Sequence, residues 1–296
     1  MEKKLRKTAR EEGTLFNFLV KEMGLTKRQI SQAKFRAGGI CVNGRRTRVT
    51  AVLNAGDCVE VILEEAKTQS DHLVPLNGGL DVLYEDEDLL LVNKPAGLVV
   101  HPSHGHYADS LANMLAYYFQ KKGEPVKIRS VGRLDKETSG IVIFAKNQTA
   151  AGRLSRQREN GLLKKEYIAF VQGVPEPRKG SINIGIKKDP ESLMKMTVSE
   201  SGKCAVTHYQ VLETFGGFSS IKVSLETGRT HQIRVHMAFI GHPLLGDNIY
   251  GKKGTERAAL HAWKVKLIQP FSGEEICAEA EIPEDMKIKM NQNFAK

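Results

Sequence analysis

Short strand-like segments joined by turns dominate the chain from Leu80 onward. An apolar segment from Leu89 to Val92 ends one predicted hairpin, and "IVIFA", residues 141–145, is an uninterrupted apolar run. Three later segments, "KKEYIAFVQG", "FSSIKVSLETG" and "HAWKVKLI", alternate as strands do. Many strands with few intervening helices favour an α+β fold with a mixed, largely antiparallel sheet over a regular βαβ repeat.

The first 65 residues predict a smaller module of helices and strands. Thr14 caps a predicted helix that stops at Gly24, and Thr26 caps a second that ends at the Gly38-Gly39 pair. "ICVNGRRTRVT" then predicts a hairpin with an Asn-Gly turn. We therefore expect a small α/β domain over residues 13–65, a polar linker over residues 66–79 and a large domain over residues 80–290.

The positive charge of the chain is concentrated in this first module. The 296 residues carry a formal net charge of +10, yet no acidic residue lies between Glu22 and Asp57. That window contains Lys27, Arg28, Lys34, Arg36, Arg45, Arg46 and Arg48. A merely soluble surface mixes charges of both signs, so this pattern indicates a polyanionic partner.

Several functional classes lack their sequence signatures. No apolar run approaches the roughly 18 residues of a membrane helix, and the first residues do not resemble a signal peptide, so we expect a cytoplasmic protein with no membrane association. There is no dinucleotide-binding or Walker pattern, which predicts no nucleotide cofactor. The four cysteines form no Cys-x-x-Cys pair, and the histidines of "HPSHGH" and "RTHQIRVH" have poor metal-ligand spacing. We expect no metal, and a monomer.

Three segments of the first module, "TKRQI", "GGICVNG" and "LNAGDCVEV", occur in an order that resembles the S-four-like RNA-binding domain. The resemblance covers roughly Thr14 to Leu63. It implies that the second helix and the loop after it present their basic side chains to RNA phosphates without reading sequence. The residues concerned are Lys27, Arg28, Lys34 and Arg36.

Four segments of the larger domain resemble the RluA/RluD family of pseudouridine synthases: "NKPAGLVVHP", "GRLDKETSG", "KKEY" and "GRTHQIRVHMAFIGHPLLGD". The resemblance implies the pseudouridine synthase fold and an isomerase that needs no cofactor. Such an enzyme detaches uracil from its ribose, turns it, and rejoins it through the carbon at position five. The implied partner is structured RNA, with large-subunit ribosomal RNA favoured by the appended basic module and transfer RNA as the nearest rival.

By this resemblance Asp135 is the catalytic carboxylate, which either attacks the anomeric carbon or removes the ribose 2′ proton. Both mechanisms need an ionised group, so a cationic partner is required, and we expect a bidentate arginine to supply it. Arg133 is implied to be a wedge that fills the place of the flipped nucleotide. We expect Arg234 to form the ion pair.

Three further expectations concern the same site. Tyr167 matches the active-site tyrosine of the family, whose ring stacks on uracil while its hydroxyl moves protons. A helix capped by Thr227 or Thr230 points Arg229 and Arg234 about 140° apart, so Arg229 is left to support a phosphate or the loop. Gly132 departs from the family, which often has histidine there, and we expect a lost contact with RNA.

Two other functions fit part of the pattern. A non-catalytic RNA-binding protein has the same basic module but lacks one of the motif residues Asp, Tyr or Arg, and all three are present here. A hydrolase with two carboxylates is conceivable from Asp135 and Glu137, whose spacing allows both side chains to face one way.

Overall fold

Two units fold from separate stretches of the chain: residues 1–69 with 147–149, and residues 70–146 with 150–296. The computed structural model describes residues 2–64, 73–124, 126–192, 194–252, 254 and 256–292. The first half of the predicted linker, residues 66–72, lies outside these residues. The domain limits at residues 65 and 80 remain predictions.

The N-terminal unit combines two short helices with a four-stranded antiparallel sheet in the order β1-β6-β3-β4. Thr14 and Thr26 accept hydrogen bonds from the first turns of the two helices, which confirms both predicted caps. The elements of this unit are β1 Glu2–Thr8, β2 Gly13–Thr14, α1 Leu15–Lys21, α2 Lys27–Lys34, β3 Ile40–Val42, β4 Arg45–Arg46, β5 Val52–Leu53 and β6 Cys58–Glu64.

Strand β1 lies before the predicted start of this domain and was not expected from the sequence. It pairs along its whole length with β6, from Glu2 opposite Glu64 to Thr8 opposite Cys58. Only Leu5 within the strand, and Ala9 just after it, are buried apolar residues. Because the other positions are charged or polar, the alternation was too weak to predict a strand.

The C-terminal unit contains a ten-stranded mixed sheet, which confirms the predicted α+β fold. Its main path runs β12-β15-β16-β11-β17-β10-β8-β7, with β18 paired to β17 and β9 to β10. Of its strand pairs in the described residues, only β10 with β17 is parallel. The strands are β7 Asp81–Glu85, β8 Leu89–Lys94, β9 Arg129–Ser130, β10 Ser139–Ala145, β11 Lys164–Gln172, β12 Lys179–Asn183, β15 Val206–Phe215, β16 Phe218–Leu225, β17 Leu260–Ile268 and β18 Glu275–Glu279, and a separate hairpin comprises β13 Ile186–Lys188 and β14 Met196–Val198.

Helices cover both faces of this sheet. Their bounds are α3 Leu111–Lys121, α4 Gln148–Glu159, α5 Gln232–Phe239 and α6 Glu284–Gln292. On β10, Val142 and Phe144 join a core with residues of α3 and α5, whereas Ile141 and Ile143 join a second core with residues of α4. A strand buried on both faces needs apolar side chains at every position, which explains the uninterrupted run in the sequence.

Gly140 allows β10 to approach β17 closely at the entrance of the strand. Its φ is 105°, and a Cβ atom there would lie 2.3 Å from the carbonyl oxygen of Ala262. Any other residue would push the two strands apart. The loop that precedes β10 is therefore fixed against the centre of the sheet.

Candidate active site

Asp135 lies in the loop between β9 and β10, and the backbone of this loop is firmly held. The Thr138 amide donates to the Asp135 carbonyl at 3.1 Å, and the Gly97 amide donates to the Lys136 carbonyl at 2.9 Å. The Asp135 side chain is nevertheless 31% exposed. The loop thus combines a fixed backbone with an accessible carboxylate.

Lys94 is a fully buried lysine that contributes to this fixation. Its ammonium donates to the carbonyls of Pro95 at 2.8 Å, Leu98 at 2.7 Å and Lys136 at 3.1 Å, which uses all three of its protons. Burial lowers the pKa of Lys94 to about 7, while the negative charges of Glu137 and Asp135 oppose that shift. The "NKP" segment therefore supports the Asp135 loop from inside the protein.

Two nitrogen atoms approach the same oxygen of the Asp135 carboxylate. Nη1 of Arg234 lies 3.7 Å from Oδ2, and Nε2 of His231 lies 3.8 Å from it. Within the part of the chain that the structure describes, no donor is close enough to hydrogen-bond this carboxylate. Asp135 thus has a cationic neighbour, while its oxygen atoms are left for another partner.

The guanidinium fork of Arg234 binds Asp247. Its Nε and Nη2 each donate to a different Asp247 oxygen at 2.7 Å, and both side chains are buried. The expected ion pair of Arg234 with Asp135 is present at 3.7 Å, but the bidentate contact goes to Asp247 instead. Burial raises the pKa of Asp247, but the hydrogen bonds and charge of Arg234 outweigh it and leave that pKa below its ordinary value.

Helix α5 begins differently from the prediction. His231 is its N-cap with φ 56° and makes no side-chain capping hydrogen bond, so the prediction of a cap at Thr227 or Thr230 is wrong. Instead, Gln232 Oε1 accepts from the Thr227 hydroxyl at 2.9 Å and from the Arg229 amide at 3.0 Å. A buried glutamine side chain thus organises the turn before the helix.

Arg229 consequently lies ahead of α5, so its predicted angle to Arg234 on a common helix is wrong. Its side chain is exposed, and Nε donates to the Cys204 carbonyl at 3.0 Å. This contact is consistent with the expected support of a loop. It leaves the remaining guanidinium nitrogens at the surface of the C-terminal unit.

His231 is oriented toward Asp135 by Tyr250. The Tyr250 oxygen accepts from the Met196 amide at 2.8 Å and lies 2.9 Å from His231 Nδ1. We assign the tyrosine proton to this second contact, which places the histidine proton on Nε2, facing Asp135. Burial lowers the pKa of His231, which favours this neutral form.

Tyr167 is buried in β11 at a point where the strand is irregular. The pairing of β11 with β17 shifts register between Glu166 and Tyr167, which is typical of a bulge that redirects a side chain. Burial, and then the charge of Asp135, raises the pKa of Tyr167. Its hydroxyl is therefore protonated at neutral pH and has Asp135 as a charged neighbour.

Gly132 and Arg133 precede Asp135 in the same loop. Gly132 has φ 83°, in the left-handed region that favours glycine, so the backbone here disfavours the histidine that the family often has. Arg133 is exposed. Its side chain is thus available at the surface next to Asp135, although this does not test the predicted wedge role.

The basic residues predicted to bind RNA lie in the N-terminal unit. Lys27, Arg28 and Lys34 are exposed on α2, whereas Arg36 is partly buried. Lys27 and Lys34 are seven residues apart and therefore share one face of the helix. Three of the four predicted side chains are accessible to a polyanion.

Two other kinds of site are absent from the described ranges. No group of three or more His, Cys, Asp or Glu side chains there is arranged to hold a metal ion. No helix in those ranges has the length and apolar character to cross a membrane. His236, weighed as a metal ligand, instead contacts the Thr207 hydroxyl at 2.9 Å and the Ile184 carbonyl at 3.1 Å.

Comparisons with known proteins identify the family of this chain. A family model described as RNA pseudouridylate synthase matches residues 88–239, which include Asp135, Tyr167 and Arg234. An RNA pseudouridine synthase of Bacillus subtilis, YhcT, is 42% identical over 252 residues, covering 84% of this chain and 83% of its own. The chain belongs to the RNA pseudouridine synthase family. It is an isomerase of the RluA/RluD type.

Two further relatives of this pseudouridine synthase extend the comparison. Ribosomal large subunit pseudouridine synthase D of Nitrosomonas europaea is 38% identical over 245 residues, covering 78% of this chain and 70% of its own. The solved structure of human RNA pseudouridylate synthase domain containing 1 aligns with a TM-score of 0.57 at 25% identity, covering 74% of this chain and 96% of its own. The family match ends before Asp247, so the partner of Arg234 lies outside it.

Sequence reasoning missed Asp247, His231 and Lys94 as parts of this site. The segment that ends in Asp247 was recognised. Its residue spacing, however, does not indicate that Asp247, rather than Asp135, accepts the two hydrogen bonds of Arg234. A buried arginine requires a carboxylate partner, and that requirement was the available signal.

Proposed function

We propose that this pseudouridine synthase modifies uridines of large-subunit ribosomal RNA and that Asp135 is its catalytic carboxylate. The observation that carries the proposal is the accessible Asp135 carboxylate, which faces Arg234 and His231 but accepts no hydrogen bond from the described residues. The ribosomal target is supported by relatives that are named as large-subunit pseudouridine synthases, at 38% identity.

The chemistry requires an ionised carboxylate beside the ribose. It either attacks the anomeric carbon or removes the 2′ proton, and in both cases the bond from that carbon to N1 of uracil breaks. Uracil then turns, and its C5 bonds to the anomeric carbon as the Asp135 ester bond breaks or as Asp135 returns the proton to C2′. The C5 proton is lost and N1 takes up a proton. Product and substrate have the same atoms, so the reaction requires no co-substrate.

Arg234 and His231 have different parts in this scheme. The fork of Arg234 on Asp247 fixes its guanidinium, and this holds a positive charge 3.7 Å from Oδ2 of Asp135. His231 presents a neutral N–H toward the same oxygen. Neither group forms a short hydrogen bond that would weaken the reactivity of the carboxylate.

Tyr167 and Arg133 are proposed to handle the flipped nucleotide. Tyr167 stacks its ring on uracil and keeps a proton available, because its pKa is raised. Arg133 is exposed in the same loop and enters the place that the base vacates. Flipping costs a few kcal/mol of lost stacking, so contacts of this kind are needed to offset it.

The N-terminal unit is proposed to be an S-four-like RNA-binding domain. Lys27, Arg28 and Lys34 are exposed on α2 and can neutralise phosphates of structured RNA. Arg36, which is partly buried, is proposed to contribute at the edge of this surface.

The target is tested by the release of tritium from RNA labelled at C5 of uridine. RNA from cells that lack the protein is separated into large-subunit ribosomal and transfer RNA, and each fraction is incubated with the full-length protein. We expect release from the ribosomal fraction. Release from transfer RNA alone would contradict the proposed target but not the enzymatic class.

A further inference from the structure

Lys136 directly follows the proposed catalytic residue Asp135 in the chain, and its ammonium contacts a histidine. Nζ of Lys136 lies 3.2 Å from Nε2 of His106, and Nδ1 of His106 lies 2.6 Å from Oδ2 of Asp109. These three side chains form a continuous chain of hydrogen bonds at the surface of the C-terminal unit. The segment that contains His106 was noted in the sequence for its histidines, but the proposed reaction does not use it.

The direction of these hydrogen bonds follows from the groups involved. A lysine ammonium has only donors, so Nε2 of His106 must be the acceptor and the ring proton must be on Nδ1. Nδ1 then donates to Asp109, whose carboxylate fixes the ring. His106 is neutral in this arrangement and orients Lys136 without neutralising it.

The ammonium of Lys136 therefore has two N–H groups that bind no partner among the described residues. Its carbonyl is held by Lys94 and by the Gly97 amide, so the residue is anchored through both its backbone and its side chain. Among the described residues, no carboxylate lies within ion-pair distance of its ammonium. An exposed cation that is oriented but not paired is prepared for an external anion.

The external anion is identified by the position of Lys136. Its Cα follows that of Asp135 by about 3.8 Å along the chain. A ribose that reacts at Asp135 carries a phosphate on either side, and these phosphodiesters are the anions that the substrate brings to this loop. The proposed reaction has no co-substrate, so it brings no anion to this site other than the RNA itself.

We propose that Lys136, held by His106 and Asp109, binds a phosphodiester next to the uridine that is modified. Lys136 is a substrate-binding residue in this account, and His106 is a positioning residue that acts through it. The inference rests on the proposed role of Asp135. It adds a phosphate site and the side chains that orient it.

The test is a double-mutant cycle in the full-length protein. Release of tritium from C5-labelled total RNA of cells lacking the protein is measured for wild type, Lys136→Met, His106→Phe and the double variant, at several salt concentrations. We expect Lys136→Met to raise KM about 5- to 10-fold, to change kcat less than about twofold, and to make the salt dependence of kcat/KM shallower by about 0.7 to 0.9 in logarithmic slope, as for one lost phosphate contact.

His106→Phe keeps a planar ring but cannot accept the lysine proton. We expect it to raise KM about threefold in the wild type and to have no further effect in Lys136→Met, because its influence passes through the lysine. Lys136→Arg should retain the wild-type salt slope. His104→Phe, which changes a histidine of the same loop that contacts Tyr107, should leave KM unchanged.

Two results would overturn the inference while the proposed function stands: an unchanged salt slope in Lys136→Met, or a His106→Phe effect of full size in the double variant. Absence of tritium release by the wild type would instead contradict the proposed function, and the inference with it.

Discussion

Two aspartates share one arginine in this site, and their surroundings separate their roles. Asp247 is fully buried and accepts from Arg234 and from the amides of Ile249 and Tyr250. Asp135 is 31% exposed and has the same arginine only at 3.7 Å. The hydrogen bonds of Asp247 indicate a structural role, whereas their absence at Asp135 agrees with the catalytic role proposed for it.

We predict that Asp247→Asn lowers the free energy of unfolding by about 3–5 kcal/mol, because it leaves the buried Arg234 charge without a counterion. Urea unfolding at pH 7 measures this loss. Glu226→Gln is the matched control: it removes an exposed partner of His208 and should cost less than about 1 kcal/mol. Equal, small losses in both variants would show that the buried pair does not stabilise the fold.

At the scale of elements, helix caps that depend on neighbouring residues could be predicted from the sequence. Contacts between residues that are distant in the sequence could not. The caps at Thr14 and Thr26 followed from residue types at helix starts, and the structure has both. The start of α5 did not, because the positive φ of His231 accompanies contacts with Tyr250 rather than a local cap. Likewise, the fork on Asp247 depends on the folded packing around Arg234.

Glu85 joins three elements of the C-terminal unit at the end of β7. Its carboxylate accepts from the Tyr118 hydroxyl at 2.6 Å and from Lys122 at 2.8 Å, both at α3, and from Lys146 after β10 at 3.0 Å. Burial raises the pKa of Glu85, but these hydrogen bonds outweigh burial and lower the pKa from 4.5 to about 2. The ionised group therefore stabilises the fold above pH 4.5, and this contribution is lost as the pH falls toward 2.

We predict that Glu85→Gln lowers the free energy of unfolding by about 1–3 kcal/mol at pH 7. The difference from wild type should be constant down to about pH 5 and shrink to about half or less by pH 3. Urea unfolding across this range measures it. Glu87→Gln, at an exposed position of the same turn, should show no such loss. A difference that does not depend on pH would contradict the role of the charge.

At the scale of the whole molecule, positive charge without nearby acids is expected to provide affinity for RNA. In the N-terminal unit this positive charge is carried by three exposed residues of α2, Lys27, Arg28 and Lys34. Changing all three to glutamine in the full-length chain should make the salt dependence of RNA affinity shallower by about 2 to 3 in logarithmic slope. Filter binding to large-subunit ribosomal RNA at several salt concentrations measures this slope.

A matched variant distinguishes the effect of the position of the positive charges from the effect of the net charge of the protein. Lys179, Lys187 and Lys188 are exposed in the C-terminal unit, and their change to glutamine removes the same charge. We expect this variant to keep most of the wild-type slope. Equal losses in both variants would indicate that summed charge, rather than the α2 surface, attracts RNA.

The most direct test of the account replaces the proposed catalytic carboxylate by its amide. Single-turnover tritium release is measured for wild type, Asp135→Asn and, as a neighbouring control, Glu137→Gln, together with RNA affinity and thermal midpoint. We predict that Asp135→Asn slows release at least about a thousandfold at unchanged affinity and midpoint, since an amide neither attacks carbon nor accepts the ribose proton. Glu137→Gln should stay within a few-fold of wild type. Release by Asp135→Asn at a rate near that of wild type would contradict the assignment.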